Sequence, residues 1–315
     1  MRILVVGAGA TGGYFGGRLV QAGRDVTFLV RPGRARLLRE RGLRIVGLGE
    51  KTVLTPPLVV AGEIGSAFDL VLLTVKATGL GQAIVDLAPA VGPGTLILPV
   101  LNGMRHIDAL TERFGDRAVL GGAVKVVTTV DADGDIVRLA DLQTLTYGAL
   151  GAYAPEPLAE VGRVLDGAGF DTDLSGDITG EMWAKWVLIA ATGAVTCLMR
   201  GTVGEVEAVP GGAVFAEAVV AECAAVAAAA GHAVPERALA FTRETVSTPG
   251  SPFVSSLYRD LVAGKATEGE HIVGDLVSRA RRLGVTVPLL EVAAMHLRVH
   301  ENRVARNRPE PAPAA

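Results

Sequence analysis

Three glycines near the N-terminus have the spacing that a phosphate-binding turn requires. The apolar segment 2–6 leads into Gly7-Ala8-Gly9-Ala10-Thr11-Gly12, and a helical segment and a second apolar segment follow. Gly7 permits a tight turn, Gly9 lets the backbone approach a pyrophosphate, and Gly12 lets the helix pack close to its strand. The helix N-terminus then offers N–H groups to the phosphates. A purely structural turn is the alternative, but the strand, helix and strand order favours a dinucleotide site formed by these six residues.

The end of the second apolar segment indicates which dinucleotide is bound. Enzymes that use NAD place an acid about 20 residues beyond the glycines, whereas an arginine there accommodates a 2′-phosphate. This chain has Arg31 and Arg34 at that point and no acid. The sequence therefore predicts NADPH as the cofactor with Arg31 as a ligand, and a solvated loop cation is the alternative.

Two polar residues follow predicted parallel strands where those strands end. Lys76 comes directly after the apolar segment 69–75, and Asn102-Gly103 follows the segment 95–100. Because ligands of open α/β sheets bind beyond the carboxyl ends of the strands, we expect both residues to face the nicotinamide and its ribose. A surface lysine and an ordinary Asn-Gly turn are the alternatives.

Lys185 lies in an otherwise apolar helical segment that runs from Met182 to Ala191. Its ammonium group must reach water or pair with an acid, because burying it without a partner is costly. A desolvated lysine also loses basicity and becomes usable as a general acid. The sequence predicts either a proton donor at this position or a lysine that extends to the surface.

The segments that position these residues form two classes. Residues 1–150 alternate strands and helices as in a doubly wound α/β domain, and residues 117–150 fit extra strands at the edge of its sheet. From about residue 176 the pattern is helical, with predicted helices at 181–199, 212–230, 235–247, 269–283 and 288–303. The alanine-rich segment 213–230 is predicted to be a buried helix. We predict a Rossmann-type domain at 1–175, an all-α substrate and dimerisation domain at 176–307, and a disordered tail at 308–315.

The composition excludes several classes of protein. Half of the 315 residues are hydrophobic and 20% are charged, which is typical of a well-packed globular chain. With a net charge of −3, the chain lacks the excess of positive charge that is typical of proteins that bind nucleic acid. The two cysteines imply neither a disulfide framework nor a metal site. No apolar run reaches the roughly 18 residues of a membrane span, and the first strand is not a signal peptide. We expect a cytoplasmic protein without nucleic-acid, membrane or metal partners.

The chain resembles the ketopantoate reductase family over nearly its whole length. The similarity lies in the features named above together with Thr202-Val-Gly-Glu205 and with Ser255-Ser256, which precede Thr267-Glu268 by twelve residues. It implies an NADPH-binding Rossmann domain followed by a helical domain like the C-terminal domain of 6-phosphogluconate dehydrogenase. The implied reaction is reduction of a 2-oxo acid, with 2-dehydropantoate in pantothenate biosynthesis as the first candidate and a different oxo acid or another carbonyl compound as the alternative. A homodimer is compatible with the apolar helical domain.

The resemblance also implies roles for single residues. Lys185 would be the general acid that protonates the ketone oxygen, and Glu268 would pair with it or orient it. Ser256 would bind the substrate carboxylate. Asn102 would hold substrate and nicotinamide, Lys76 would lie near the cofactor ribose, and Glu268 would also contact the cofactor.

Three positions depart from the family pattern. Ile189 and Gly193 stand four and eight residues after the catalytic lysine, where the family commonly has asparagines that contact substrate. Phe253 stands where an asparagine usually precedes the paired serines. The cofactor and acid machinery therefore match the family, while the substrate contacts do not.

Two threonines could replace these amides. Thr192 and Thr196 follow Lys185 by seven and eleven residues, which places them within about 20° of it on a helix. Their hydroxyl groups are predicted to bind substrate. The alternative is that both bond back to the carbonyl groups of their own helix.

Other patterns receive structural interpretations. His296 and His300 share a helix face, but the sequence offers no acid-rich partner, so an exposed pair is favoured over a metal site. Trp183 and Trp186 flank Lys185 and are predicted to be packing residues. Two rival functions stay open, an NADPH-binding regulatory protein without catalysis and an imine reductase that needs an added amine.

Overall fold

The computed structural model describes residues 1–151 and 155–307, and the chain divides into two compact units. The first unit comprises Met1–Leu101 and Arg105–Thr179. The second comprises Asn102–Met104 and the chain from Gly180 onward. The division falls a few residues after the predicted boundary at residue 175. Asn102, which the sequence analysis assigns to the first domain, belongs by its contacts to the second unit. The predicted disordered tail, 308–315, lies outside the described residues.

The first unit is built from strands with helices between them. Its strands are β1 (Arg2–Val6), β2 (Asp25–Leu29), β3 (Leu43–Gly47), β4 (Glu50–Leu54), β5 (Leu58–Val59), β6 (Leu70–Leu73), β7 (Leu96–Pro99), β8 (Leu120–Val130), β9 (Ile136–Ala149) and β10 (Asp171–Leu174). Its helices are α1 (Ala10–Gln21), α2 (Pro32–Arg41), α3 (Leu80–Leu87), α4 (Arg105–Phe114) and α5 (Pro155–Leu165). Short 3₁₀ turns cover Ala77–Gly79, Ala88–Ala90 and Asp116–Ala118.

A parallel sheet of order β5-β2-β1-β6-β7 forms the nucleotide-binding half of this unit. The strands β6 and β7 are buried at every position, as expected for parallel strands that are covered on both faces. The chain passes from β1 to β2 on one side and returns to β6 on the other side. The carboxyl ends of β1 and β6 therefore mark the switch point at which ligands of such sheets bind.

The residues predicted to extend the edge of this sheet form a second sheet instead. Strands β10, β9, β3 and β4 are neighbours in that order, and β8 pairs with β9 as a long antiparallel hairpin. Val119 alone bridges to Ile97 of the edge strand β7, so the edge-strand prediction for residues 117–150 holds at that residue and is wrong for β8 and β9. Periodicity reports that a strand exists but not which strand it pairs with. Helix α1 provides the surface for this second sheet, since its Gly13 and Gly17 contact Leu43, Ile45 and Ile136 closely.

The second unit is helical in its described part. Its helices are α6 (Ile178–Met199), α7 (Val203–Glu207), α8 (Gly212–Ala229), α9 (Glu236–Ser247), α10 (Ser256–Val262), α11 (Asp275–Leu283) and α12 (Pro288–Arg306). A π-helical turn, Glu270–Gly274, precedes α11. The single helix predicted over 269–283 is thus a π turn followed by an α-helix.

Helices α6 and α8 are long and apolar enough to cross a membrane by length and composition alone, contrary to the expectation that no segment would be. The core helix of a folded domain meets the same criterion, and 67% of the apolar window of α6 is buried in the protein. In α8 only 39% of the window is buried, and Val214 is 75% exposed. The prediction of a buried alanine-rich helix is therefore wrong for one face of α8, because alanine packs closely on one side but supplies no polar residues for the other.

Candidate active site

The glycine loop between β1 and α1 has little room for any other side chain at its last glycine. A Cβ atom on Gly12 would overlap the Thr74 hydroxyl group and the Gly7 carbonyl oxygen. Thr74 follows β6, and its hydroxyl donates to the carbonyl groups of Val6 and Gly7 at 2.9 and 3.0 Å. This close contact holds the start of α1 against the ends of β1 and β6. Thr74 is a site residue that the sequence analysis did not single out.

The loop leaves space where a pyrophosphate would approach. A Cβ atom on Gly9 would meet nothing within 4 Å, and Gly9 is the N-cap of α1. No side chain among the described residues caps this helix, and its first turn carries no acid. The N–H groups of Ala10 and Thr11 in that turn are therefore suited to an anion by the partial positive charge of a helix N-terminus. The loop fits the phosphates of a dinucleotide.

Arg31 is exposed at the N-terminus of α2, directly after β2 and Val30. Its Nη2 atom would lie 3.4 Å from a Cβ atom on Gly79, so the guanidinium group reaches the turn that follows β6. Lys76 is exposed as well and precedes the same turn. Both predicted cofactor ligands thus stand at carboxyl ends of strands in the first sheet.

Arg34 supports the glycine loop directly. Its Nε donates to the Ala8 carbonyl at 3.1 Å, and its Nη1 donates to the Gly134 carbonyl in the β8–β9 turn at 2.8 Å. Its Nη2 is buried and has no hydrogen-bond partner among the described residues. Burial lowers the pKa of the Arg34 guanidinium group despite the favourable influence of Asp135. A fixed cation behind the loop favours an anionic cofactor, a role that the sequence analysis did not assign to Arg34.

In the second unit, Lys185 lies on the first half of α6 and is half-buried. The following residue, Trp186, is about 1% exposed, and its indole Nε1 donates to the Ile272 carbonyl at 2.8 Å. Ile272 belongs to the π turn, where the helix widens locally; such turns are frequent at functional sites. The contact fixes the position of the α6 segment that carries Lys185 relative to the turn that follows Glu268. Trp186 therefore packs, as predicted, and also donates a hydrogen bond that the sequence did not reveal.

Asn102 and Glu268 are brought together beside this turn. The Asn102 Nδ2 atom is 3.4 Å from Glu268 Oε2, a long hydrogen bond. Gly103 makes the approach possible, because it has a φ of +78° and its Cβ atom would lie only 2.7 Å from the His271 carbonyl oxygen. Two residues 166 positions apart in sequence thus meet at one place.

The hydroxyl groups of Thr192 and Thr196 are already used within the protein. Thr192 donates to the Leu188 carbonyl at 2.9 Å, and Thr196 donates to the Thr192 carbonyl at 2.7 Å. Thr196 is also 2.8 Å from the Ser255 hydroxyl and has no exposed surface. This geometry favours bonding back to the helix over substrate contact for both threonines.

The paired serines have different environments. Ser255 is buried and caps α10 by accepting a hydrogen bond from the Tyr258 backbone N–H at 3.0 Å. Ser256 is exposed. Because Ser255 is committed to the cap and to Thr196, Ser256 is the serine that can meet a ligand.

The weaker candidates lie elsewhere. His296 and His300 are half-buried, so the prediction of an exposed pair is wrong: the His300 ring lies 2.8 Å from the Lys265 carbonyl, and the buried His296 Nε2 atom has no hydrogen-bond partner in the described part of the chain. Among residues 1–151 and 155–307, no group of three or more His, Cys, Asp or Glu side chains could hold a metal ion. Trp183 stacks on the His232 ring.

The fold and the glycine loop define a class, a dinucleotide-binding protein with a Rossmann-type first unit and a helical second unit. The family model for ketopantoate reductase PanE/ApbA matches residues 3–152, and the model for the C-terminal part of the same family matches residues 177–301. The chain belongs to the ketopantoate reductase family. It is therefore an NADP-dependent oxidoreductase that acts on CH–OH groups, and NADPH is the usual cofactor of the family.

Individual relatives cover almost the whole chain. The chain is 34% identical to the uncharacterised oxidoreductase YkpB of Bacillus subtilis (strain 168) over 301 aligned residues. The alignment covers 96% of this chain and 99% of YkpB. The crystal structure of a PanE/ApbA family ketopantoate reductase from Ralstonia eutropha JMP134 matches with a TM-score of 0.86 and 27% identity, covering 97% of this chain and all of that one. A D-mandelate dehydrogenase solved with NADH and anilino(oxo)acetate has the same fold, with a TM-score of 0.87 at 20% identity, and covers 97% of this chain and all of that one.

Proposed function

We propose that this protein reduces a 2-oxo acid to the 2-hydroxy acid with NADPH, and that Lys185 is the general acid. The observation that carries the proposal is the arrangement of α6 and the π turn, which fixes Lys185 next to the Trp186 anchor and unites Asn102 with Glu268. The first unit would bind the cofactor, and the helical unit would bind the substrate.

The proposed mechanism divides the work among a few side chains. NADPH, when bound, supplies the hydride that adds to the carbonyl carbon. The Lys185 ammonium group donates its proton to the carbonyl oxygen and stabilises the negative charge that develops there. Glu268 orients the lysine, Asn102 holds the carbonyl group and the nicotinamide, and Ser256 donates its hydroxyl to the substrate carboxylate.

Arg31 and the glycine loop account for the cofactor preference. The loop and the uncapped N-terminus of α1 would hold the pyrophosphate, and Lys76 would lie near the ribose. An exposed guanidinium group at the end of β2 suits a 2′-phosphate because arginine binds phosphate in a bidentate manner.

The family name makes 2-dehydropantoate the first candidate substrate, for pantothenate biosynthesis. A different oxo acid is the second candidate, because the amides that the family commonly places near the substrate are replaced here by Ile189, Gly193 and Phe253. The structural neighbour that binds anilino(oxo)acetate, an oxo acid derivative with an aryl group, has the same fold.

The decisive test is NADPH oxidation with a panel of 2-oxo acids, measured by absorbance with the wild-type protein and the Lys185→Ala variant. We expect turnover of at least one oxo acid, a kcat about 10² to 10⁴-fold lower in the variant, and an unchanged Kd for NADPH. Lys125→Ala, at an exposed position in β8, is the matched control. Binding of NADPH without turnover of any oxo acid would support the regulatory alternative, and turnover only with an added amine would support the imine reductase.

We also propose a cytoplasmic homodimer. Exposed apolar side chains on α8 and α12, including Val214, Val292 and Met295, support association through the helical unit. Sedimentation equilibrium of the purified protein would show twice the chain mass if this is correct and the chain mass if it is not.

A further inference from the structure

The face of α6 next to Lys185 is apolar. Leu188 and Ile189 lie three and four residues after the lysine, so the three side chains are neighbours on the helix surface. Both apolar side chains are half-buried, which leaves part of each accessible. A ligand whose carbonyl oxygen lies at Lys185 can therefore contact these two residues.

Further along α6, the threonine hydroxyl groups already have hydrogen-bond partners. The hydroxyl groups of Thr192 and Thr196 donate to carbonyl groups of their own helix, as described above. Both residues are also at most 3% exposed. No hydroxyl group on this stretch of α6 is therefore free to bind a substrate hydroxyl.

The segment that packs beside the second half of α6 contributes an apolar contact at Gly193. Leu257 covers Gly193 so closely that a Cβ atom there would lie 2.7 Å from the leucine Cδ1. No amide side chain fits at that position without displacing Leu257. Upstream of it, Phe253 is 43% exposed and Val254 is half-buried.

The polar groups already described suit the 2-oxo acid group itself. Lys185, Asn102 and Glu268 suit the carbonyl end, and the exposed Ser256 hydroxyl suits a carboxylate. Leu188 and Ile189 next to Lys185, and Phe253 and Val254 ahead of Ser256, have side chains that offer neither a donor nor an acceptor.

We infer that the substrate is a 2-oxo acid whose chain beyond the carbonyl carbon is apolar, aliphatic or aromatic, and carries no hydroxyl group. The inference rests on the proposed function and narrows its substrate. A hydroxyl group on that chain would lose its water and find no partner against these residues, whereas methyl or aryl groups would be transferred from water to an apolar surface.

Two substrates that differ by one hydroxyl group test the inference. They are 2-dehydropantoate, which is 4-hydroxy-3,3-dimethyl-2-oxobutanoate, and 3,3-dimethyl-2-oxobutanoate, which lacks the hydroxyl. We expect kcat/KM for the second acid to be at least tenfold higher, with phenylglyoxylate also reduced. A kcat/KM that is equal, or higher for 2-dehydropantoate, would overturn the inference and leave the proposed function intact. Failure to reduce any oxo acid, although NADPH binds, would overturn both.

Variants test whether Ile189 and Phe253 cause the preference for the acid without the hydroxyl group. Ile189→Asn and Phe253→Asn should each lower the preference for the acid without the hydroxyl by about tenfold, because each supplies an amide partner. Phe241→Asn, at a 58% exposed position on α9, is the matched control and should leave the preference unchanged. Fluorescence titration with NADPH checks that each variant is folded. If neither asparagine variant changes the preference while both bind NADPH, the assignment to this surface is wrong.

Discussion

Two arginines that follow β2 have different environments, and we expect each to contribute to cofactor binding in its own way. Arg31 is exposed and extends toward the turn after β6, while Arg34 is fixed by two backbone carbonyl groups. The two arginines are three residues apart, but we expect Arg31 to bind the 2′-phosphate and Arg34 to stabilise the glycine loop.

Arg31→Met is expected to raise the Kd for NADPH about thirtyfold and to leave the Kd for NADH almost unchanged. The loss corresponds to about 2 kcal/mol for a hydrogen bond between charged groups. Fluorescence titration with both nucleotides measures the effect, and Arg36→Met, at an exposed position of α2, is the control. Equal weakening of both nucleotides would contradict a 2′-phosphate contact.

Arg34→Met should weaken NADPH and NADH by similar factors, roughly ten- to thirtyfold, because the loop carbonyl of Ala8 loses its donor. The same two titrations distinguish this result from that of Arg31→Met. A change confined to NADPH would show that Arg34 contacts the 2′-phosphate instead.

The thiol groups of both cysteines are expected to be inert in the native protein. Burial raises the pKa of Cys197 to about 12, and burial also raises the pKa of Cys223, so the reactive thiolate is absent at neutral pH. A thiol reagent at pH 8 should label neither residue in the folded protein and both in denaturant. Rapid labelling of the native protein would contradict this expectation.

At the scale of the elements, the π turn connects the helix that carries Lys185 with the loop that carries Glu268. The Ile272 carbonyl accepts a hydrogen bond from Trp186, and the His271 carbonyl is approached by Gly103. The turn therefore contacts both segments that bring polar groups to the proposed site.

Trp186→Phe is expected to lower the free energy of unfolding by about 1 to 3 kcal/mol, because the buried Ile272 carbonyl loses its donor. We also expect kcat to fall more than NADPH affinity, since the anchor beside Lys185 is lost. Urea denaturation and steady-state kinetics measure the two effects. Trp183→Phe is the matched control, because Trp183 is 2% exposed and stacks on His232. Equal effects of both variants on kcat would refute the positioning role.

At the scale of the whole molecule, a nearly buried ion network ties helix α1 to the second sheet. Arg18 on α1 contacts Glu50 on β4 at 2.5 Å, and Arg138 on β9 contacts the same carboxylate at 3.1 Å. Burial acts to raise the pKa of Glu50, but hydrogen bonds from Arg18 and Thr52 outweigh it, so the pKa is below its ordinary value. The network supports the helix whose N-terminus forms the phosphate loop.

Glu50→Gln should lower the free energy of unfolding at pH 7 by about 3 kcal/mol, because two cations lose their counter-ion. A carboxyl group with a lowered pKa in the folded state stabilises the protein above its ordinary value of 4.5, and the contribution is lost as the pH falls below it. The difference from wild type should therefore shrink at pH 3.5. Urea denaturation at both pH values, with the exposed Glu112→Gln as control, measures it. A difference that does not depend on pH would show that the carboxylate charge is not responsible.

The sequence by itself determined the features that depend on local spacing. The glycine loop, Arg31 at the end of β2, and the change from alternating elements to long helices all follow from periodicity and steric limits within a few residues. The departures from the family pattern at Ile189, Gly193 and Phe253 are also visible in the sequence. The local features were enough to predict the fold class and the cofactor, and the family was predicted from them together with Lys185, Ser256 and Glu268.

Only the tertiary structure decided which distant groups meet. It assigned the hairpin of β8 and β9 to a second sheet, placed Asn102 against Glu268, and gave Arg34 the carbonyl of Ala8. It also showed that the Thr192 and Thr196 hydroxyl groups are already bonded. The physical reason is that a strand or a polar side chain can be satisfied by many partners of equal local propensity, and packing of the whole chain selects among them.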